Sequence, residues 1–311
     1  MWPKVSVVMP SYNQGQFIEE SIRSVLLQGY TNLEYIIIDG GSTDGSVDII
    51  RRYAPWLTSW TSEPDAGQSD AINKGWQHCT GDVLAWLNSD DLYAPDALRQ
   101  VGERFAADMT LGLVYGEINV LDDAGRTSGA IGYHARESQM LAALELPYQP
   151  ASFFSAAIIR QIGGLDVSLR YVMDVDILLR VMANARAARI AAPLASFRIH
   201  AESKTNLAEP KFAEELLMLL QRFEEKPAVY PGLEHVGIDK TRQNFYRLAA
   251  KHFYQGDRFH DALRCIALAC RADPSATLSI LNDEGVGWLV KRILPIEQYR
   301  ALAHRVRSKP E

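Results

Sequence analysis

Three short polar stretches each follow an apolar run that reads as a strand: Ser11-Tyr12-Asn13, Asp39-Gly40-Gly41-Ser42 and Asn88-Ser89-Asp90-Asp91. In open α/β sheets, ligands bind beyond the carboxyl ends of the strands. Carboxylates gathered on one such edge repel each other unless they are solvated or bridged by a cation. Hard cations such as Mg²⁺ and Mn²⁺ take oxygen ligands and often share them with a diphosphate, which makes Asp90 a candidate metal ligand. Each stretch also has a plainer reading when taken alone. Asp90 and Asp91 could cap the helix that follows, Asp39 could close a strand-end turn, and Tyr12 could be a half-buried aromatic.

Two further residues suit such an edge. Ile177, Leu178 and Val181 follow Asp174 at the intervals that share one helix face, which places Asp174 on the inward stripe. Asp176 falls on another face, where Arg180 can pair with it. A carboxylate at a helix N-terminus is favoured in its charged form by the helix dipole, which suits a general base for an acceptor hydroxyl; a capping carboxylate is the alternative. His200 follows the strand-like run ending in Phe197-Arg198-Ile199. A lone histidine is commonly structural or exposed, but one beside a metal–diphosphate site has a chemical reason to be there. Between the second and third stretches, the polar loop from Asp65 to Gly75 runs into a helix whose first amides could hold phosphate oxygens. It contains neither a GxGxxG nor a P-loop pattern.

Positioning these residues requires alternating strands and helices. Val5-Ser6-Val7-Val8-Met9, Leu33-Glu34-Tyr35-Ile36-Ile37-Ile38 and Val83-Leu84-Ala85-Trp86-Leu87 read as buried strands. Helical spacing falls over Ile18 to Leu26, 46–53, 70–79 and 95–105, the last with Pro95 in its first turn. Leu113 starts a further strand, so the pattern predicts an α/β domain with a mostly parallel sheet covered by helices. A hairpin-like turn at Asp122-Asp123-Ala124-Gly125 ends the alternation. Helices near 137–146, 155–162 and 174–186 follow, then the run to Ile199. The expected boundary lies near residue 205, with 206–311 helical. Patterns over 245–253 and 259–270, separated by Gln255-Gly256-Asp257, look like one tetratricopeptide-type hairpin. A single such unit is not stable alone, so the plain reading is a helical appendage.

Bulk properties exclude other classes. The 311 residues carry a net charge of −6, with no basic footprint for nucleic acid. Cys79, Cys265 and Cys270 form no CxxC pair or His-spaced cluster, which argues against a disulfide framework or zinc site and suits a reducing cytoplasm. Met1-Trp2-Pro3-Lys4 runs straight into a strand, without a leader pattern, and no apolar stretch approaches the ~20 residues that span a bilayer. The expectation is a cytoplasmic protein, soluble or peripheral. The 286–310 stretch interleaves Lys291, Arg292, Arg300, Arg305, Arg307 and Lys309 with Trp288, Leu289, Ile293 and Leu294. It could dock on anionic lipid; a solvated helix face or tail is the alternative.

Taken in order, these residues resemble the family 2 glycosyltransferases of the GT-A fold. The resemblance covers roughly residues 4–205 and rests on Val7-Val8-Met9-Pro10-Ser11-Tyr12-Asn13, Ile38-Asp39-Gly40-Gly41-Ser42-Thr43-Asp44-Gly45, the Asp65-to-Gly75 loop, Leu87-Asn88-Ser89-Asp90-Asp91, Gly163-Gly164-Leu165-Asp166 followed by Asp174, and Arg198-Ile199-His200. It implies a Rossmann-like sheet domain and inverting transfer from a nucleotide-diphosphate sugar, UDP- or dTDP-linked, to a glycan or lipid-linked hydroxyl, in cell-surface polysaccharide assembly. Tyr12 would stack on the donor base with Ser11 beside it, and Asp39 would accept a hydrogen bond from the base. Asp65, Gln68, Asp70 and Asn73 would line the donor pocket, and Asn88 would contact ribose. Asp90 would bind Mn²⁺ or Mg²⁺, His200 would help hold the metal or diphosphate, and Asp174 would be the catalytic base. Two positions depart from the family pattern. Asn88 replaces the usual first aspartate and contributes no charge, and Met173 replaces an acidic residue that often precedes the base.

Two rival readings remain at this stage. A sugar-phosphate nucleotidyltransferase would carry a glycine-rich N-terminal loop with a basic residue, and Pro10-Ser11-Tyr12-Asn13-Gln14-Gly15 has neither Lys nor Arg. A catalytically impaired nucleotide-sugar binder or scaffold is disfavoured by the presence of Asp90 and Asp174.

Overall fold

Val5–Ser11 (β1) is buried along its whole length, and its apolar side chains face helices on both sides of the sheet. The chain returns through Ile18–Leu26 (α1), whose Ile18, Ile22 and Val25 pack inward, to Leu33–Asp39 (β2), parallel to β1. Ser46–Tyr53 (α2) leads to the edge strand Ser59–Ser62 (β3), and Gln68–His78 (α3) to Val83–Trp86 (β4) on the other side of β1. Gly75 lets α3 lie close to the sheet: a Cβ there would sit 2.5 Å from Val8 Cγ1. The computed structural model describes residues 2–122, 124–132, 140–141, 143–201, 203–204, 209–231 and 237–274. The basic 286–310 stretch lies outside them, as do residues 137–139 and 142 of the helix expected near 137–146.

The second half of the sheet is mixed. Leu92–Tyr93 (β5) precedes Ala97–Ala107 (α4), which starts two residues later than the sequence suggests because Asp96, at φ 62°, interrupts the helix after Pro95. Leu113–Leu121 (β6) and Thr127–Ile131 (β7) form the expected hairpin. Ser152–Ser155 (β8) is a strand that the sequence pattern does not mark, and the helix expected near 155–162 follows it directly. Ser155 then caps Ala156–Ile162 (α5), its Oγ accepting from Ala157 N at 3.3 Å. Met173–Asn184 (α6) leads into Ala187–Arg198 (β9). Among the described residues the sheet order is β3-β2-β1-β4-β8-β6-β9-β5, with β7 on β6. β3 to β4 are parallel, β8 runs antiparallel between β4 and β6, and β9 is parallel to β6.

The chain divides into two compact units, one comprising 1–137 with 145–201 and the other 138–144 with 202–311. The second contains Glu209–Glu225 (α7), Ile238–Gln255 (α8) and Phe259–Ala272 (α9), packed through Ala213, Ala249, Phe253, Ala262, Cys265 and Ile266. Gly256 is required at the α8–α9 turn, since a Cβ there would meet Pro210 Cγ at 2.3 Å. Among the described residues, no helix is long and apolar enough to cross a membrane.

At the edge where β2 begins, Glu34 is buried and bonded by Ser6 Oγ, Thr80 N at 2.7 Å, Lys4 Nζ at 2.9 Å and Thr80 Oγ1 at 3.0 Å. Burial raises the pKa of this carboxyl, but the four bonds outweigh it and bring the group down to about 2. The folded-state value lies below the ordinary 4.5, so the stabilisation is full above that pH and fades as pH falls towards 2. Its size is roughly 2–3 kcal/mol. Urea unfolding should therefore show Glu34→Gln clearly less stable than wild type at pH 7, with a smaller gap at pH 3. An equal gap at both would refute the linkage.

Candidate active site

The pairing of Ser11 with Asp39 and of Val8 with Trp86 brings the ends of β1, β2 and β4 to one edge. The loops leaving β1 and β2 are then joined by hydrogen bonds. Gly40 N donates to Ser11 O at 2.8 Å, Asn13 N to Ser42 Oγ at 2.8 Å, Thr43 N to Asn13 Oδ1 at 2.9 Å, and Gly15 N to Asp44 Oδ2 at 2.7 Å. Asn13 adopts φ 52°, a left-handed conformation that asparagine tolerates better than most residues. At the crest of this joined pair Tyr12 is 63% exposed. Gly40 sits between Tyr12 and Asp65, and a Cβ there would lie 3.3 Å from the Tyr12 ring and 2.9 Å from Asp65 Oδ2. The missing side chain lets the Tyr12 ring and the Asp65 carboxylate both close in on the Gly40 backbone. Asp39 has no exposed surface: its Oδ2 accepts from Gly41 N, Ser42 N and Ser62 Oγ, and its Oδ1 from Ser42 Oγ at 2.6 Å. Ser11 Oγ is buried beside it without a hydrogen-bond partner.

At the end of β4, a chain of amides fixes the turn from Asn88 to Asp91. Gln68 Nε2, at the start of α3, donates to Asn88 Oδ1 at 2.7 Å, and Asn88 Nδ2 faces Asp91 Oδ2 at 3.1 Å and Gln149 Oε1 at 3.3 Å. Gln149 is anchored in turn by its bond to Trp86 O at 2.8 Å, and Ser89 O accepts from Ser21 Oγ at 2.9 Å. Asp91 is fully buried and accepts from Arg198 N at 3.0 Å. Burial and, after it, the neighbouring Asp90 charge push the Asp91 carboxyl well above the usual carboxylate range. Asp90 faces the other way, its Oδ2 3.0 Å from His200 Nε2. The two residues expected to share a cation thus meet across 110 positions of sequence.

Asp174 lies in the first turn of α6, partly exposed, with Oδ1 accepting from Val175 N at 2.9 Å. The helix start is held against α3, where Ser69 Oγ contacts Met173 Sδ at 2.8 Å and Leu169 O at 3.1 Å. Since Ser69 follows Gln68, the same turn of α3 touches both the Asn88 turn and the segment carrying Asp174. Asp176 does pair with Arg180, at 2.9 Å, but both are buried, because the guanidinium also bonds Ile162 O and Gly164 O. Asn73 spends both ends of its amide on Leu165, accepting from its N at 3.0 Å and donating to its O at 2.8 Å. Asp70 accepts from Ala66 N at 3.0 Å and pairs with Lys74 at 3.1 Å, and these bonds hold it below the ordinary carboxylate range. The structure therefore brings together Tyr12 with Asp65, Gln68 with Asn88, and Asp90 with His200, while Asp70 and Asn73 are engaged in holding the loop and helix. Gln149 and Arg198 also belong to this network. No sequence motif pointed to Gln149, and Arg198 was marked only as the residue opening the Arg-Ile-His run.

The donor set suits a divalent cation. Asp90 and His200 offer one carboxylate and one imidazole, and among the described residues no group of three or more His, Cys, Asp or Glu converges on a point. A hard cation held by so few side chains completes its shell with phosphate oxygens and water. A surface hollow of about 440 Å³, lined by Asp48, Ile49, Arg51 and Arg52, contains none of these residues.

Comparison with known proteins gives a consistent picture. Residues 6–161 match the profile described as glycosyl transferase family 2. An uncharacterized glycosyltransferase of Mycobacterium tuberculosis is 33% identical over 181 residues, which cover 57% of this chain and 68% of the relative. The crystal structure of S. aureus TarS 1-349 in complex with UDP-GlcNAc is similar with a TM-score of 0.64 at 15% identity, covering 98% of this chain and 91% of that one. The mannosyltransferase PcManGT from Pyrobaculum calidifontis, in complex with GDP-Man and Mn²⁺, gives 0.59 at 20% identity, covering 98% and 85%.

The amide chain explains why asparagine occupies position 88. Asn88→Asp would remove the donor that Asp91 and Gln149 accept from and would set a second carboxylate against a buried one. The expected cost is about 1–3 kcal/mol, read as a lower urea midpoint at pH 7. A variant as stable as wild type would show that the network does not depend on this donor.

Proposed function

The chain belongs to glycosyl transferase family 2, with a GT-A fold, and from that membership we propose that it transfers a sugar, with inversion, from a UDP- or dTDP-sugar to a hydroxyl of a glycan or lipid-linked acceptor. The observation that carries the site assignment is the approach of Asp90 to His200, on the same sheet edge as Tyr12 and Asp65. We assign catalysis to residues 1–205 and treat 206–311 as a helical appendage. The acceptor belongs to cell-surface polysaccharide assembly.

Each rim residue has a task in this reading. The exposed ring of Tyr12 stacks on the base, Asp65 bonds the nucleoside beside Gly40, and the buried Ser11 Oγ reaches it only once the Tyr12 loop opens. Asp39 accepts the imino N–H of uracil or thymine through Oδ1, which carries one bond against three on Oδ2. That approach requires the Tyr12 loop to open, because Asp39 has no exposed surface. Asn88, steadied by Gln68, contacts the ribose. Asp90 and His200 hold Mn²⁺ or Mg²⁺ against the diphosphate; when bound, the ion acts as a Lewis acid that stabilises negative charge on the leaving group. Asp174 takes the proton of the acceptor hydroxyl as its oxygen bonds the anomeric carbon, while the nucleoside diphosphate departs from the opposite face with the electrons of the broken C–O bond. Asp70 and Asn73 support this pocket through the loop and helix they hold.

A panel of UDP-, dTDP- and GDP-sugars, read by nucleoside diphosphate release with and without Mn²⁺, tests the reading. Pyrophosphate release would point to nucleotidyl transfer instead, and donor binding without turnover on any acceptor would point to a binder. Asp174→Asn should lower turnover by about 10²–10⁴-fold while donor affinity measured by calorimetry stays within about twofold. Full activity in that variant would remove Asp174 from the role of base.

A further inference from the structure

Arg198 is 3% exposed and lies between the Asp90-Asp91 turn and α1. Its Nε donates to Asp90 O at 3.0 Å, its backbone N to Asp91 Oδ1 at 3.0 Å, and its outer nitrogen to Glu20 Oε2 at 2.7 Å. The guanidinium carbon sits 5.0 Å from the centre of the Phe17 ring, and that ring lies 4.6 Å from the ring of His200. Arg198, Phe17 and His200 therefore enclose Asp90 from its backbone round to its carboxylate.

The direction of these bonds matters. A guanidinium placed on the Asp90 carboxylate would neutralise it and compete with a cation. Here the charge goes to a carbonyl, an aromatic face and the carboxylate of Glu20, and the Asp90 carboxylate faces His200. The planar fork supplies geometry that a lysine ammonium cannot reproduce. We propose that Arg198 is a positioning residue: it fixes the direction of Asp90 and, through Phe17, the ring of His200, so that the pair is set for a divalent cation before the nucleotide arrives. This rests on the reading of Asp90 and His200 as metal ligands. Partners that orient ligands in this way typically contribute 10–100-fold to metal affinity.

The test follows free Mn²⁺ by electron paramagnetic resonance as the full-length protein is titrated, with UDP and then GDP present. It compares wild type, Asp90→Asn, Arg198→Lys and Phe17→Leu. Metal-free nucleotide affinity and the urea midpoint are measured alongside, because general loosening would weaken those too. The expected result is Mn²⁺ uptake by wild type, loss in Asp90→Asn, and uptake about tenfold weaker or worse in Arg198→Lys, with metal-free nucleotide affinity unchanged. Should Arg198→Lys fail to fold, Phe17→Leu decides, with weaker Mn²⁺ uptake again expected. Wild-type affinity in the variant that decides overturns the role of Arg198 while leaving the metal site intact. Wild-type protein that takes up no Mn²⁺, with Asp90→Asn indistinguishable from it, overturns the site reading and this proposal together.

Discussion

The pairing of β1 with a parallel neighbour on each side is the constraint on which the site depends. Backbone hydrogen bonds set Ser11 level with Asp39 and Val8 level with Trp86. A slip of one residue in either ladder would send the side chains of a whole strand to the opposite face. Ser6, whose Oγ bonds the buried Glu34, and Val8, which packs directly on Gly75, tie β1 to one register. The loops beyond the three strands therefore start from fixed points. Their polar side chains meet because the core beneath them is rigid.

Beyond the strand ends, hydrogen bonding takes over from hydrophobic packing. The loop after β2 folds around the Asp39 carboxylate, and the loop after β1 is joined to it through Asn13 and Gly15. The turn after β4 is held by Gln68, Gln149, Ser21 and Arg198. Of the two adjacent aspartates in that turn, Asp91 is enclosed by the scaffold, and Asp90 turns its carboxylate to His200. Position in the fold, rather than residue type, separates their tasks.

Much of this was legible from residue patterns. Continuous apolar runs marked β1, β2 and β4, and the spacing of Ile18, Ile22 and Val25 marked α1. The motif order selected Asp90 and His200, which meet in space. Other features left little trace in the sequence. β8 is four residues long, with two phenylalanines, and periodicity cannot distinguish so short an apolar run from the start of a helix. A helical wheel placed Asp174 on the inward stripe and Asp176 on another face, whereas the structure leaves Asp174 partly exposed and buries Asp176, whose partner Arg180 is held by the carbonyls of Ile162 and Gly164. The amides of Asn73 and Gln149 act through backbone groups distant in sequence, so nothing adjacent to them reveals what they hold. Composition likewise gave no sign that Asp39 would be enclosed by its own loop.

Helix α3 has a mechanical consequence. Its first residue, Gln68, grips the turn that carries Asp90, while Ser69 and Asn73 clasp the segment leading to Asp174. A single eleven-residue rod thus ties the turn that carries Asp90 to the segment that carries Asp174. A load on the Asn88 turn is therefore borne by the same helix that Leu165, Leu169 and Met173 lean on.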